Sequence, residues 1–446
     1  MNQTIFALAT APGRAAVAII RLSGRGVRQA LNQIGATRLK PRQASLRTFV
    51  NACGEPLDTG LAIWFPAPRS YTGEDCGELQ IHGGVGVVDS ISRALVELGL
   101  RPAEAGEFTR RAVENGRLDL GQAEAIGDLI DAESRGQSRQ AINQLNGALG
   151  RRYQDWRTRL IRTLADLEAA VDFPDEDLPS DVMERAAAPL RMLLDDLNVA
   201  LSDGARGRQV REGFRVAFIG APNAGKSSLF NALLGRSAAI VSPTAGTTRD
   251  VIEAHIDLEG YRVIISDMAG LVESDDIIEA EGVRRARSWA GSADLRLWVV
   301  DHAGVTGHWR AGQDLVRQTD LLVLNKSDLE VAEDGISASN VATDMGLEMI
   351  SASHSPREID DLRTWLSARV GIELSGTDFP ATTRLRHAAL LTLAKDHVGR
   401  AVQALGQPEL AAEDVRLAVR ALARVTGTIG VDDVLDEVFA SFCIGK

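Results

Sequence analysis

Gly220-Ala-Pro-Asn-Ala-Gly225-Lys226-Ser227 ends a glycine-bounded loop on a lysine and a hydroxyl. This GxxxxGK[ST] spacing suits backbone N–H groups that wrap phosphate oxygens, with the Lys226 ammonium aimed at the β and γ phosphates and the Ser227 hydroxyl on magnesium. Asn223, Ala224, Gly225 and Ser228 belong to the same cradle. The apolar run FRVAFI precedes the loop and SLFNALLG follows it, the strand–loop–helix setting that the chemistry requires.

Three more elements follow in order. Asp267-Met268-Ala269-Gly270 ends the run YRVIIS; its aspartate suits magnesium through water, and the Gly270 N–H suits the γ-phosphate. Asn325-Lys326-Ser327-Asp328 ends LLVL, and a carboxylate at Asp328 can accept the ring N–H and the exocyclic amine of guanine together. Adenine offers no such pair, so an unpaired acid would penalise it and GTP is selected. Ser351-Ala352-Ser353, after EMI, supplies backbone N–H groups to close over the base. Between the loop and DMAG lies Ser242-Pro243-Thr244-Ala245-Gly246-Thr247-Thr248, where a switch segment must bring a hydroxyl to magnesium; Thr248 is the choice.

Leu271 stands where a water-orienting glutamine is wanted, so cleavage needs another device. The Asn223 carbonyl oxygen, with backbone carbonyls of 242–247, can hold a monovalent cation where an arginine finger would otherwise act. Glu279, in ESDDIIEAEG, is either the residue that holds the attacking water or part of a solvated helix.

The elements that must position these groups follow from texture. Residues 1–118 mix alternating apolar stretches such as AVAIIRL and LAIWF with the helical GVGVVDSISRALVELGL. Residues 119–210 are long amphipathic helices, 211–375 alternate short strands with helices, and 376–446 return to helix. The expected fold is α/β and α: an N-terminal α+β domain and a discontinuous helical bundle into which a P-loop domain with a doubly wound, mostly parallel sheet is inserted.

The GxPNxGKS loop, GTTRD, NKSD and the terminal FCIGK together resemble the tRNA-modification GTPase MnmE (TrmE) family. ALATAPGRAAVAIIRLSG, SYTGEDCGELQIHGG and GEFTRRAVENGRLDLGQAEAIGDLIDA extend the resemblance to nearly the whole chain. It implies a cytoplasmic homodimer that works on tRNA in a heterotetramer with the flavoprotein MnmG. The pair uses GTP and 5-formyl- or methylene-tetrahydrofolate to install an aminomethyl or carboxymethylaminomethyl group at C5 of wobble uridine. It further implies potassium-stimulated hydrolysis, with Asn223, Ser242, Thr244 and Thr247 matching potassium ligands, Ser227 and Thr248 magnesium ligands, and Glu279 the water-holding glutamate. Residues 1–118 then bind folate and dimerise; Arg21, Glu78, Arg117 and Lys446 match the folate positions, Arg117 replacing a lysine. Met268 departs from the family's threonine. Cys443 is either a nucleophile and one-carbon carrier or a small buried hydrophobe, and His82 either catalytic or, preferably, a turn cap.

Composition sets the outer bounds. With 446 residues, 45% hydrophobic and 25% charged, the chain is an ordinary globular one. Three cysteines without a CxxC fit a reducing cytosol, and no run reaches the ~20 apolar residues of a membrane span. A net charge of −12 argues against a whole-surface nucleic-acid binder and against a ribosome-assembly GTPase, which shares the phosphate loop but carries a basic appendage. Arginines such as Arg159 and Arg416 on the long helices suit either tRNA or a solvated, ion-paired face.

Overall fold

The computed structural model describes residues 3–172, 182–235, 252–267, 277–302, 312–328, 338–353, 355–376 and 379–427, with Phe439, Phe442 and Gly445. They form two compact units, Met1–Ile130 with Gln144–Leu197 and Ala389–Lys446, and Asp131–Asn143 with Asn198–Ala388.

The first unit opens with β1 (Ile5–Leu8), β2 (Ala15–Ser23), β3 (Ser45–Val50), β4 (Pro56–Phe65), β5 (Cys76–Gly83) and β6 (Arg101–Pro102), in sheet order β3-β4-β5-β2-β1-β6. All neighbours are antiparallel except β1 and β6. The two-residue alternation of a strand sorts the side chains. Ala18, Ile20 and Leu22 are buried in one core with Leu31 and Leu95 of the helices Val27–Gln33 and Val85–Glu97. Val17, Ile19 and Arg21 therefore lie on the opposite face, where Val17 is half exposed.

The helical part of this unit joins segments from both ends of the sequence. Leu149, Tyr153, Trp156, Leu160, Thr163 and Leu167 recur at three and four along Ala148–Asp172 and are buried. That helix packs along Pro408–Thr426, whose buried Ala411, Val415, Ala418, Leu422 and Val425 let the backbones approach closely. Helices separated by the whole second unit thus share one bundle, as the amphipathic texture predicts. The arginines of these faces are paired: Arg159 with Asp155 and Asp196, Arg416 with Glu413 and Glu168.

In the second unit β7 (Phe214–Ile219), β8 (Ile252–Leu258), β9 (Tyr261–Asp267), β10 (Leu295–Asp301), β11 (Leu321–Asn325) and β12 (Glu348–Ala352) form a sheet in the order β12-β11-β10-β7-β9-β8. Every pair is parallel but β8–β9. Strand order reverses at β7, the switch point where such sheets bind ligands beyond their carboxyl ends. β8 was not among the strands expected, although IEAHIDL alternates as a half-buried strand should. Segment 131–143 also packs here: the Gly136 N–H donates to Gly260 O at the β8–β9 turn, and Gln140 donates to Gly207 O.

Candidate nucleotide site

The phosphate loop leaves β7 through backbone that only small residues fit. Gly220 has φ 139°, and a Cβ there would stand 2.3 Å from Val299 O. Gly225 has φ 92° and a Cβ would meet Asn325 Nδ2 at 2.0 Å. Asn223 takes φ 61° and is exposed, a left-handed turn that asparagine tolerates better than most residues. The helix Lys226–Leu234 starts next, so Ser227 and Ser228 stand exposed in its first turn, where unpaired N–H groups gather.

Lys226 is buried and its ammonium donates to Gly220 O at 3.1 Å and Ala221 O at 2.8 Å. Burial pulls its pKa down, and the Asp267 carboxylate opposes the shift. Asp267, the last residue of β9, is buried, and its Oδ1 has no hydrogen-bond partner among the described residues. A buried carboxylate oxygen without a donor is costly. Beside a buried lysine, it fits the magnesium of a nucleotide.

The base-reading motifs meet at the same edge because the strands end in register: Asp301 opposite Asn325, and Asn325 opposite Ala352. Asn325 donates from Nδ2 to Ala224 O at 2.7 Å and so ties the base side to the phosphate loop, while its Oδ1 has no partner among the described residues. Lys326 turns out of β11 with φ 58° and pairs with Asp301. Asp328 is exposed two residues on. Ser351 and Ala352 close β12, but the Ser353 N–H is already given to the Glu358 carboxylate, which a bond from the Ser353 side chain, helped by that N–H, holds below its usual range. Ser355 caps the helix Pro356–Leu374 and accepts from the Glu358 N–H. Ser355-Pro-Arg-Glu358 has the capping-box pattern, legible in the sequence, although the Ser355 N–H donates to Ser353 Oγ and not to Glu358.

In the first unit Arg21 lies opposite Glu78 across β2 and β5 and bonds it at 3.1 Å. The same guanidinium stands 5.3 Å over the Tyr71 ring. Arg117 lies alongside the same loop, its Cγ 3.2 Å from where a Gly73 Cβ would be. Phe439 and Phe442 pack edge to face at 5.3 Å, and Gly445 sits against the Leu8 carbonyl and Ala9. The chain's terminal residues thus reach β1, the strand paired with β2 at Ala7 and Arg21. His82 is the penultimate residue of β5, where its ring pairs with Asp58 at 2.8 Å and not with a turn.

The family described as GTP-binding protein TrmE N-terminus matches residues 4–117, and that described as MnmE helical domain matches 120–443. Over 448 residues, the whole of both chains, the sequence is 53% identical to the tRNA modification GTPase MnmE of Caulobacter vibrioides. It is 51% identical to that of Phenylobacterium zucineum, again over all of both chains. The chain belongs to the MnmE family.

As an MnmE family member it is a GTP hydrolase acting in tRNA modification. Several of the residues expected to complete an MnmE site fall outside the described residues: Ser242, Pro243, Thr244, Ala245, Gly246, Thr247, Thr248, Met268, Ala269, Gly270, Cys443 and Lys446. Glu279 lies in the helix Ile277–Ser292, but its side chain is outside them too. No helix among the described residues is long and apolar enough to cross a membrane.

Proposed function

We propose that this chain is a potassium-stimulated GTPase that acts with an MnmG-type flavoprotein to install an aminomethyl or carboxymethylaminomethyl group at C5 of wobble uridine in tRNA. What carries the reading is the phosphate cradle, with its buried Lys226 and an Asp267 Oδ1 that has no donor among the described residues, on a chain matched end to end by MnmE relatives.

The loop amides of 220–228 bind the phosphates, and Lys226 exchanges its carbonyl partners for phosphate oxygens. Ser227, Thr248 and Asp267 would hold magnesium, which would neutralise charge on the phosphates. Asn223, Ser242, Thr244 and Thr247 would hold potassium, whose charge would take the place of an arginine finger. Glu279 orients the attacking water, and Asp328 selects guanine.

Reduced folate belongs on the open face of the N-terminal sheet. Glu78 suits the guanine-like edge of a pterin, and Arg21, Arg117 and Lys446 suit its glutamate tail. Cys443, in the terminal FCIGK, is assigned to the one-carbon step. Val17, Leu46 and Leu61 expose apolar surface from the same sheet, which favours a second copy of the chain as its cover in a cytoplasmic homodimer.

The test is mass spectrometry of digested tRNA from a strain lacking this protein. The modified wobble uridine disappears if the proposal is right and persists at its normal level if it is wrong.

A further inference from the structure

We infer that Asp301 is a positioning residue for guanine: it fixes the Lys326 side chain so that its stem is set for the base before nucleotide arrives. The inference rests on the NKSD segment being the base site. Asp301 ends β10, which pairs in parallel with β11, and the register runs unbroken from Leu297 opposite Leu321 to Asp301 opposite Asn325. At the far end of the same two strands Arg296 and Asp320 form an ion pair with no exposed side-chain surface, Nε to Oδ2 at 2.7 Å. The Arg296 guanidinium also donates to the Ala290 and Ala293 carbonyls at 3.1 Å. At the near end the His302 N–H donates to Asn325 O at 2.9 Å. The two strands cannot slide, so the Asp301 carboxylate is held at a fixed place beside the turn that follows Asn325.

Lys326 leaves that turn with φ 58°, a conformation uncommon for a residue with a Cβ and one that collects at ligand clamps. Its ammonium meets Asp301 Oδ2 at 2.5 Å, with about a third of the lysine and a fifth of the aspartate side chain exposed. A lysine stem has four rotors, and freezing them in solvent is entropically costly. With the head anchored by Asp301, the methylenes are already ordered two residues from Asp328, where an apolar stem can cover a purine face. Asp328 reads the edge of the base; Asp301 acts only through Lys326. Removing Asp301 therefore loosens purines in general and leaves the choice between guanine and xanthine alone.

Stopped-flow release of fluorescent GDP and XDP from the full chain tests this. Asp301→Ala speeds GDP release about five- to tenfold, the size of a coupled contact pair. Lys326→Met, which keeps the stem and loses the charge, does the same, and the double variant releases no faster than either single one. Asp301→Asn, similar in shape, guards against a fold defect in the alanine variant and also releases faster than wild type. Wild-type release from both Asp301 variants, or single-variant effects that multiply in the double variant, overturns the inference. Asp328→Asn in the same assay separates the two readings. If it fails to favour XDP, the base site itself is misassigned; if it favours XDP while the Asp301 variants behave as wild type, only the role of Asp301 falls.

Discussion

Lys226 shows how the phosphate site is prepared at the level of single residues. Its ammonium is buried and satisfied by two loop carbonyls, which keeps the charge inside at tolerable cost until phosphate oxygens replace them. Lys226→Ala is expected to lower GTP turnover on the order of 100-fold, because a preorganised charge in a dry site is lost; calorimetry and phosphate release measure it. Asp328→Asn is expected to shift preference from guanine to xanthine nucleotides by on the order of 100-fold, through the cost of one unpaired polar group. Competition between GTP and XTP measures that change, and unchanged selectivity would contradict the assignment. These residues were legible in the sequence because each motif is contiguous and sits at a strand end. Asp301 and Glu358 were not singled out. Asp301 gains its partner only through the register of β10 on β11, which no local spacing reveals. Glu358 was visible in principle as the acid of a capping-box pattern.

At the scale of elements, the β8–β9 hairpin joins the switch segment to Asp267 and is gripped towards its turn. Glu133 stands 3.2 Å from the Arg262 guanidinium and 3.6 Å from His255. Burial and then the Arg262 charge pull the His255 pKa below 6.5, against Glu133 and Glu253. The unfolded chain thus binds the proton more readily than the folded one. The stability tied to His255 is fully present above about pH 6.5 and is lost as pH falls through the lower folded value. His255→Gln should flatten the fall of the melting temperature between about pH 7 and pH 5, and an unchanged slope would refute the assignment. A second grip lies in the N-terminal unit, where Arg111 bonds both Glu107 and Glu74 at 2.9 Å. Burial raises the Glu107 pKa, but bonds from Arg101, the Glu104 N–H and Arg111 outweigh it and hold the carboxyl below its usual range. Arg111→Met leaves that buried acid short of its partner and should cost about 3 kcal/mol in chemical denaturation, whereas an exposed pair would cost under about 1. The four strands of the inserted sheet that end in motifs, β7, β9, β11 and β12, were legible from their apolar runs. β8 was passed over because alternating polar residues make a weaker signal than a continuous run.

At the scale of the whole molecule, the chain joins a catalytic insertion to a helical bundle built from both of its flanks. That arrangement was legible because the texture of the sequence changes from helix to strand–helix alternation and back. The face proposed for folate was legible only through the family resemblance, since Arg21 and Glu78 look like surface charges until β2 and β5 are paired. In the proposed function the cradle at the sheet tips hydrolyses GTP with a monovalent cation in place of an arginine. The most direct measurement is the turnover of GTP by the purified full chain in potassium chloride and in sodium chloride of equal ionic strength. The account predicts hydrolysis about tenfold or more faster in potassium, with Asn223→Ala removing the difference. Equal rates in the two salts would contradict it.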